Sequence, residues 1–322
     1  MRGQPSDREV LNFRFSAAEA RGECLVPLGR AESRLLARDV EQGVVVRPRN
    51  GLYARSSTWR ALNALEQHRW IVRALGKKHG DWVFSHVSAA ALYGLPVSYR
   101  HLDRIHIAAK TGGRASGGIV RHRLKGRGRV ERDGTWLTTP EDTILDCATS
   151  MTFPEALALA DAAVRAGITN HMRLRDACLH RSSKRGVNAS YKVVCSVDGR
   201  AESGGESIVR AALLECGFNI VDVQRVIGDV ERPGHTRRLD LVLEASDGTF
   251  VDVEVDGAEK YVDPAMNDGS AVRAMMAERQ REAAITALGY RVIRVTPAQA
   301  LNYEKLIRRL ANYGVHPKRV AC

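Results

Sequence analysis

The sequence of 322 residues contains no stretch of eighteen consecutive apolar residues, so no segment of it reads as a bilayer span. Its first residues, Met-Arg-Gly-Gln-Pro-Ser-Asp-Arg-Glu, lack the apolar run of a secretory signal. Cys24, Cys147, Cys178, Cys195, Cys216 and Cys322 are scattered, and none forms a Cys-x-x-Cys pair. That spacing argues against a zinc finger and against a disulfide framework. A glycine-rich loop begins at Thr111, but the spacing of a phosphate-binding loop is missing there. The expectation is a cytoplasmic protein with reduced thiols. Apolar and charged contents of 44% and 27% are ordinary for a folded protein, and the length suits two or three domains.

Acidic residues are scarce in one part of the chain only. Residues 1–200 hold 33 Lys/Arg against 19 Asp/Glu, whereas residues 201–322 hold 16 against 18. The formal charge of +12 therefore belongs to the first two-thirds. Such asymmetry suggests a polyanion-binding module joined to a module with another task.

Within the basic part, Leu35, Leu36 and Val40 suit an amphipathic helix over 32–41. Residues 44–54 then read as strand, Asn-Gly turn, strand. A helix followed by a hairpin has the outline of a winged helix-turn-helix, with Arg47, Arg49 and Asn50 near the tip, placed for phosphates or base edges. A solvated hairpin in another fold is the competing reading. A helix over 57–76 and a small helix at 85–96 follow, and His86 at the start of the latter reads as structural. In the stretch 121–132, an extended chain would put Arg121, Arg123, Lys125, Arg127 and Arg129 on one face. Five cations in line suit a phosphate backbone and a steep salt dependence. A charged edge strand that deters aggregation is the alternative. Thr139-Pro-Glu-Asp and Pro154 open two core helices. Residues 181–186 form a polar break before a connecting helix.

The acidic part centres on residues 237–256, where two alternating apolar runs flank a Ser-Asp-Gly turn and predict a β-hairpin. Period two places Leu239, Leu241 and Leu243 on one face and Asp240 on the other. Likewise Val251, Val253 and Val255 oppose Asp252, Glu254 and Asp256. Carboxylates roughly 7 Å apart along a strand face repel unless they share a cation or a proton. The face is either a metal site or an idle, wet surface. Upstream, Ser203-Gly-Gly-Glu206 is a capping-box pattern opening a helix, and downstream come a helix with Arg279 and Arg281, a strand over 290–295 and a last helix.

These residues carry two resemblances. Glu-Ser-x-x-Glu (Glu202 to Glu206), Arg-Leu-Asp-Leu (Asp240) and Val-Glu-Val-Asp-Gly (Glu254, Asp256), followed by an Arg-bearing helix and Leu-Gly-Tyr-Arg-Val-Ile-Arg-Val, resemble the PD-(D/E)xK nuclease superfamily. The branch is the one like the very-short-patch-repair (Vsr) endonucleases. More loosely, three pieces over about residues 30–170 resemble the DNA-binding antitoxins of abortive-infection type IV toxin–antitoxin systems (AbiEi-like). They are Arg-Asn-Gly-Leu-Tyr-Ala, Ser-His-Val-Ser-Ala-Ala-Ala-Leu-Tyr-Gly-Leu and Leu-Thr-Thr-Pro-Glu-Asp-Thr-Ile-Leu-Asp.

The resemblances imply an α/β (α+β) chain: an extension at 1–30, a winged-helix, antitoxin-like DNA-binding region at 31–180, a linker and connecting helix at 181–201, and at 202–322 a restriction-endonuclease-like mixed sheet flanked by helices. They imply Mg²⁺- or Mn²⁺-assisted hydrolysis of DNA phosphodiesters, with Asp240, Glu254 and Asp256 as metal ligands. Glu206 would add a carboxylate, and Arg279 or Arg281 would steady phosphate charge. Asp256 stands where the superfamily carries lysine, a role that Lys260 in the following loop could take. The alternatives are an antitoxin-like regulator with an inactive nuclease fold and a toxin partner, or RNA as substrate.

Overall fold

Ser6 and Glu9 form a reciprocal capping box that starts the first helix, α1 (Asp7–Ala20). The sequence placed a helix only near Ser16; the box lies ten residues earlier. The structure, a computed structural model, describes residues 6–111, 113–123, 128–181, 186–230, 232, 234–256 and 270–318. After α2 (Arg30–Glu41) come the paired strands β1 (Val45–Arg49) and β2 (Leu52–Arg55), then α3 (Ser56–Ala61) and α4 (Ala64–Lys78). The helix predicted over 57–76 is broken because Asn63 turns outward and caps α4, accepting from Glu66 N at 3.0 Å. β3 (Val83–Phe84), α5 (His86–Leu92), β4 (Ile105–Ala109), β5 (Gly113–Ser116), β6 (Ile119–Arg123), β7 (Arg129–Arg132), β8 (Thr135–Thr138) and α6 (Pro140–Ala148) follow. The remainder is α7 (Phe153–Arg165), α8 (His171–Leu179), α9 (Val187–Ser196), α10 (Gly204–Glu215), β9 (Ile220–Gly228), β10 (Thr236–Glu244), β11 (Phe250–Val255), α11 (Ser270–Ala287), β12 (Arg291–Val295), α12 (Pro297–Ala300) and α13 (Tyr303–Ala311). The fold class is mixed α/β, of the α+β kind.

Two compact units result: Met1–Ser150 with Asp176–Val187, and Met151–Arg175 with Asn188–Cys322. This division differs from the sequence boundaries, since α7 and α9 join the second unit. Arg210 of α10 explains the first of these, because it holds the buried Asp161 of α7 through two hydrogen bonds.

The first unit carries a six-stranded mixed sheet in the order β5-β6-β4-β3-β8-β7. β4 runs parallel to β6, and β3 parallel to β8. β6 and β7, which the sequence reading joined as one basic strand, are therefore separated by β4, β3 and β8. The expected line of five cations does not exist: Arg121 and Arg123 lie on β6 and Arg129 lies on the far edge strand. Lys125 and Arg127 lie outside the described residues.

The second unit is a four-stranded sheet, β12-β11-β10-β9, parallel only between β11 and β12. One face packs Val223, Leu241, Leu243, Val251, Val253 and Ile293 against α10 and α13. Val251 and Val253 are fully buried, each worth about 1.5–3 kcal/mol relative to exposure. The other face puts Leu239 and Val242 beneath Ile285 of α11. Leu239 is thus on the opposite face from Leu241 and Leu243, not on theirs as simple alternation predicts. Opposite this switch, Gln224 of β9 has φ +54, a left-handed value that interrupts the pleat, and the β9–β10 register shifts between Val242 and Leu243.

Candidate functional site

The distortion at Gln224 gathers polar groups at one place in the second unit. Gln224 Nε2 donates to Glu206 Oε2 at 2.9 Å and reaches Asp240 Oδ1 at 3.4 Å. A non-glycine residue in the left-handed region is uncommon, and such strain concentrates where a side chain is being aimed. β10 pairs with β11 over Val242–Glu244. Beyond that, the Asp240 side chain takes over, its Oδ2 accepting from Val255 N at 2.9 Å.

The helix is capped at Ser203, but the reciprocal capping box expected of Glu206 does not form, because its carboxylate turns to other partners. The Glu206 backbone N–H donates to Ser203 Oγ, at 3.1 Å, as a capped helix start requires. Its carboxylate accepts from Glu202 N at 2.7 Å, and so is oriented at its back while facing Gln224. Glu254, buried on β11, meets Arg281 Nη2 at 3.1 Å and Arg294 Nη2 at 3.5 Å. Asp256 is half-buried, 3.9 Å from Arg294 Nη1. Arg281 faces the site and also donates to the Arg238 carbonyl at 3.1 Å. Two residues earlier on the helix, Arg279 is exposed in an open outer groove with Glu282 and Thr286, so the charge over Glu254 comes from Arg281 instead. Lys260 lies outside the described residues.

Asp252 was legible only as a member of the acidic face, yet it is the most deeply buried carboxylate there, at 0% exposure. Neither of its oxygens has a hydrogen-bond partner at normal geometry. Burial first, then the neighbouring Glu254 and Asp240, push its carboxyl up to about 8, while Arg281 and the Asp240 backbone pull the other way. A neutral, protonated Asp252 is the form that this pocket favours. Gln224, Asp252 and Arg294 extend the predicted site, and of the two arginines expected on the following helix Arg281 is the one that faces it. Arg281 had a helical spacing signal, whereas Gln224 and Arg294 had none without the sheet register.

The site's donors are all oxygens, the kind that suits a hard divalent cation. They do not converge in threes: among the described residues, the one group of three whose ligand atoms all lie within 4.8 Å of one another is His86, His106 and His122, in the first unit.

The basic residues of the first unit divide by commitment. Arg49 donates through Nη1 to the Gly117 carbonyl at 2.9 Å and through Nη2 to the Asp103 carbonyl at 2.8 Å. It clamps two loops, and burial lowers its pKa. Arg47, Asn50, Arg121 and Arg123 are exposed. Arg129 is exposed on β7 but lies over the Trp136 ring, 4.4 Å from its centre. No helix among the described residues is long and apolar enough to cross a membrane.

Comparison with known proteins finds two similar chains in Mycobacterium tuberculosis, printed as Uncharacterized protein MT2308 and Uncharacterized protein Rv2248. Each is 26% identical over 207 residues, which cover 64% of this chain and 71% of the relative. No family model matches, and no solved structure matches.

Proposed function

We propose that the chain is a DNA-binding protein whose second unit is a metal-dependent, endonuclease-like hydrolase of DNA phosphodiesters. The observation that carries this reading is the element order α10-β9-β10-β11-α11-β12 with Glu206 on the first helix, Asp240 and Glu254 on the second and third strands, and Gln224 tying the first two carboxylates together. Asp240 and Glu254, with Asp256, would hold Mg²⁺ or Mn²⁺. A bound ion of this kind polarises a phosphate and lowers the pKa of a water. The chain's own contribution is orientation: Gln224 and Glu202 N fix Glu206, while Val255 N fixes Asp240. Glu254, paired here with Arg281 and Arg294, would help to hold the cation, and Arg281 would be placed to meet a phosphate. Exposed Arg47, Arg121 and Arg123 supply backbone contacts to DNA.

A second reading rests on one observation. Arg281 and Arg294 already neutralise Glu254 as a cation would, and Asp256 replaces the expected lysine. That combination suits an antitoxin-like regulator, with a toxin partner, that keeps the nuclease fold as a DNA clamp. Plasmid cleavage with Mg²⁺ or Mn²⁺ decides between them. Cleavage by the wild type that is lost in Asp240→Ala and Glu254→Ala, with DNA binding intact, supports the hydrolase. A wild type that binds DNA and never nicks it supports the regulator.

A further inference from the structure

His86, His106 and His122 come from three separate elements of the first unit: the first turn of α5, β4 and β6. The parallel pairing of β4 with β6 brings the second and third together, with Ala108 opposite His122 and His106 opposite Val120. His106 Nδ1 and His122 Nε2 are 2.8 Å apart, a contact that needs a shared proton. The His86 ring stacks on His122 with centres 3.7 Å apart, and lies 5.5 Å from His106. His86 is buried and the other two are half-buried.

His86 adopts φ +49, a left-handed conformation for a residue with a side chain. That backbone turns its imidazole inward towards the other two. Ser85 Oγ sits 3.1 Å from His86 Nδ1, so that Nε2 is the nitrogen assigned to the ion below. Ser88 fixes β4 from behind, its Oγ accepting from His106 N at 2.9 Å and lying 3.2 Å from His68 Nε2. Metal-binding histidines have the second ring nitrogen held by an oxygen, as Ser85 holds that of His86.

We propose that His86 Nε2, His106 Nδ1 and His122 Nε2 form a binding site for one borderline divalent d-block cation of the Zn²⁺ class, with a fourth position open to water or a small anion. Imidazole nitrogen selects Zn²⁺, Co²⁺, Ni²⁺ and Cu²⁺ over Mg²⁺ and Ca²⁺. Three histidines with one open position are the donor set of reactive zinc sites rather than closed structural ones. Tetrahedral bonds of about 2.0–2.1 Å separate ligand nitrogens by roughly 3.3 Å. On binding, the His106–His122 pair thus opens by about half an ångström, the His86 ring turns out of its stack on His122, from which it is tilted by only 20°, to aim a nitrogen at the ion, and the cation replaces the shared proton. This site is independent of the carboxylates of the second unit.

The test uses tag-free, full-length protein stripped with a chelator and titrated with Co²⁺. The expected result is one tight equivalent, bound ahead of any weaker uptake by the carboxylates of the second unit, with visible d–d bands of a four-coordinate nitrogen and oxygen site, no thiolate charge-transfer band, and displacement by Zn²⁺. His106→Ala and His122→Ala each weaken binding by more than the roughly 10–100-fold cost of losing a residue that only orients a ligand. Asp240→Ala combined with Glu254→Ala keeps the full equivalent. Folded wild type that takes up no Co²⁺ overturns the proposal, as does a thiolate band or loss of the equivalent in the carboxylate variant. The wild-type arm decides the matter even where a histidine variant fails to fold.

Discussion

Arg210 holds both carboxylate oxygens of Asp161, at 2.9 and 2.7 Å, with the two side chains buried. One nitrogen, Nη2, makes both of these charge-assisted bonds and locks α7 onto α10, while Arg210 Nη1 donates to the Ser196 carbonyl at 2.6 Å. Breaking one partner leaves a buried charge uncompensated. Arg210→Met is expected to cost about 3–5 kcal/mol, and Arg210→Met with Asp161→Leu to cost clearly less. Urea titrations of the single and double variants check this. Equal losses in both would show that the pair contributes by packing alone.

Gln224 gives a test of local strain. Its left-handed φ costs a side-chain-bearing residue about 1–2 kcal/mol, and glycine escapes that cost. Gln224→Ala and Gln224→Gly both lose the amide that joins Glu206 to Asp240. Gln224→Gly is therefore expected to be the more stable of the two by about 1 kcal/mol, measured by denaturant midpoint. The reverse order would mean that the position relaxes out of the left-handed region when the amide is gone.

His68 predicts a pH dependence. Burial first, and then Arg49, hold its pKa down at about 4, against an ordinary 6.5, while the Leu102 carbonyl and Asp103 oppose the fall. Below about 6.5 the unfolded chain takes up a proton that the folded imidazole refuses. Stability is therefore full above that value and is lost as pH falls towards about 4, by about 3 kcal/mol at the lower end. His106, also held down at about 4 by burial, adds to the same slope. His68→Gln is expected to flatten the dependence between pH 7 and pH 5. An unchanged slope of urea midpoint against pH would contradict the assignment.

The proposed DNA contacts separate by salt. Arg121→Ala with Arg123→Ala is expected to lower the slope of log affinity against log salt by about 2. Arg49→Ala, whose guanidinium is spent on two loop carbonyls, is expected to lower stability and leave the slope alone. Binding measured from low to high salt distinguishes the two. An unchanged slope in the β6 variant would remove that strand from the interface.

What the sequence reveals here is local. The hairpin of β10 and β11, its Gly248 turn and the capped starts at Thr139 and Ser203 each rest on a few neighbouring residues, and all are found in the structure. Asn63 caps α4 within the apolar spacing of 57–76 and so splits the one helix that this spacing predicts. The face switch at Leu239 depends on a non-glycine residue in a left-handed conformation fifteen positions earlier, which no periodicity encodes. The separation of β6 from β7 and the meeting of His106 with His122 both follow from parallel pairings, which join strands without a hairpin to announce them. Nothing local in the sequence marks Asp161, because its partner Arg210 lies on another helix.

β7 has a consequence for association. All four of its residues, Arg129, Val130, Glu131 and Arg132, are exposed at the outer border of the six-stranded sheet. Among the described residues no strand pairs with its outer side; such a border is a template on which a second copy could lay a strand, and the charges of Arg129, Glu131 and Arg132 disfavour that docking. At this border the molecule guards itself against fibre-like growth, independently of anything it binds.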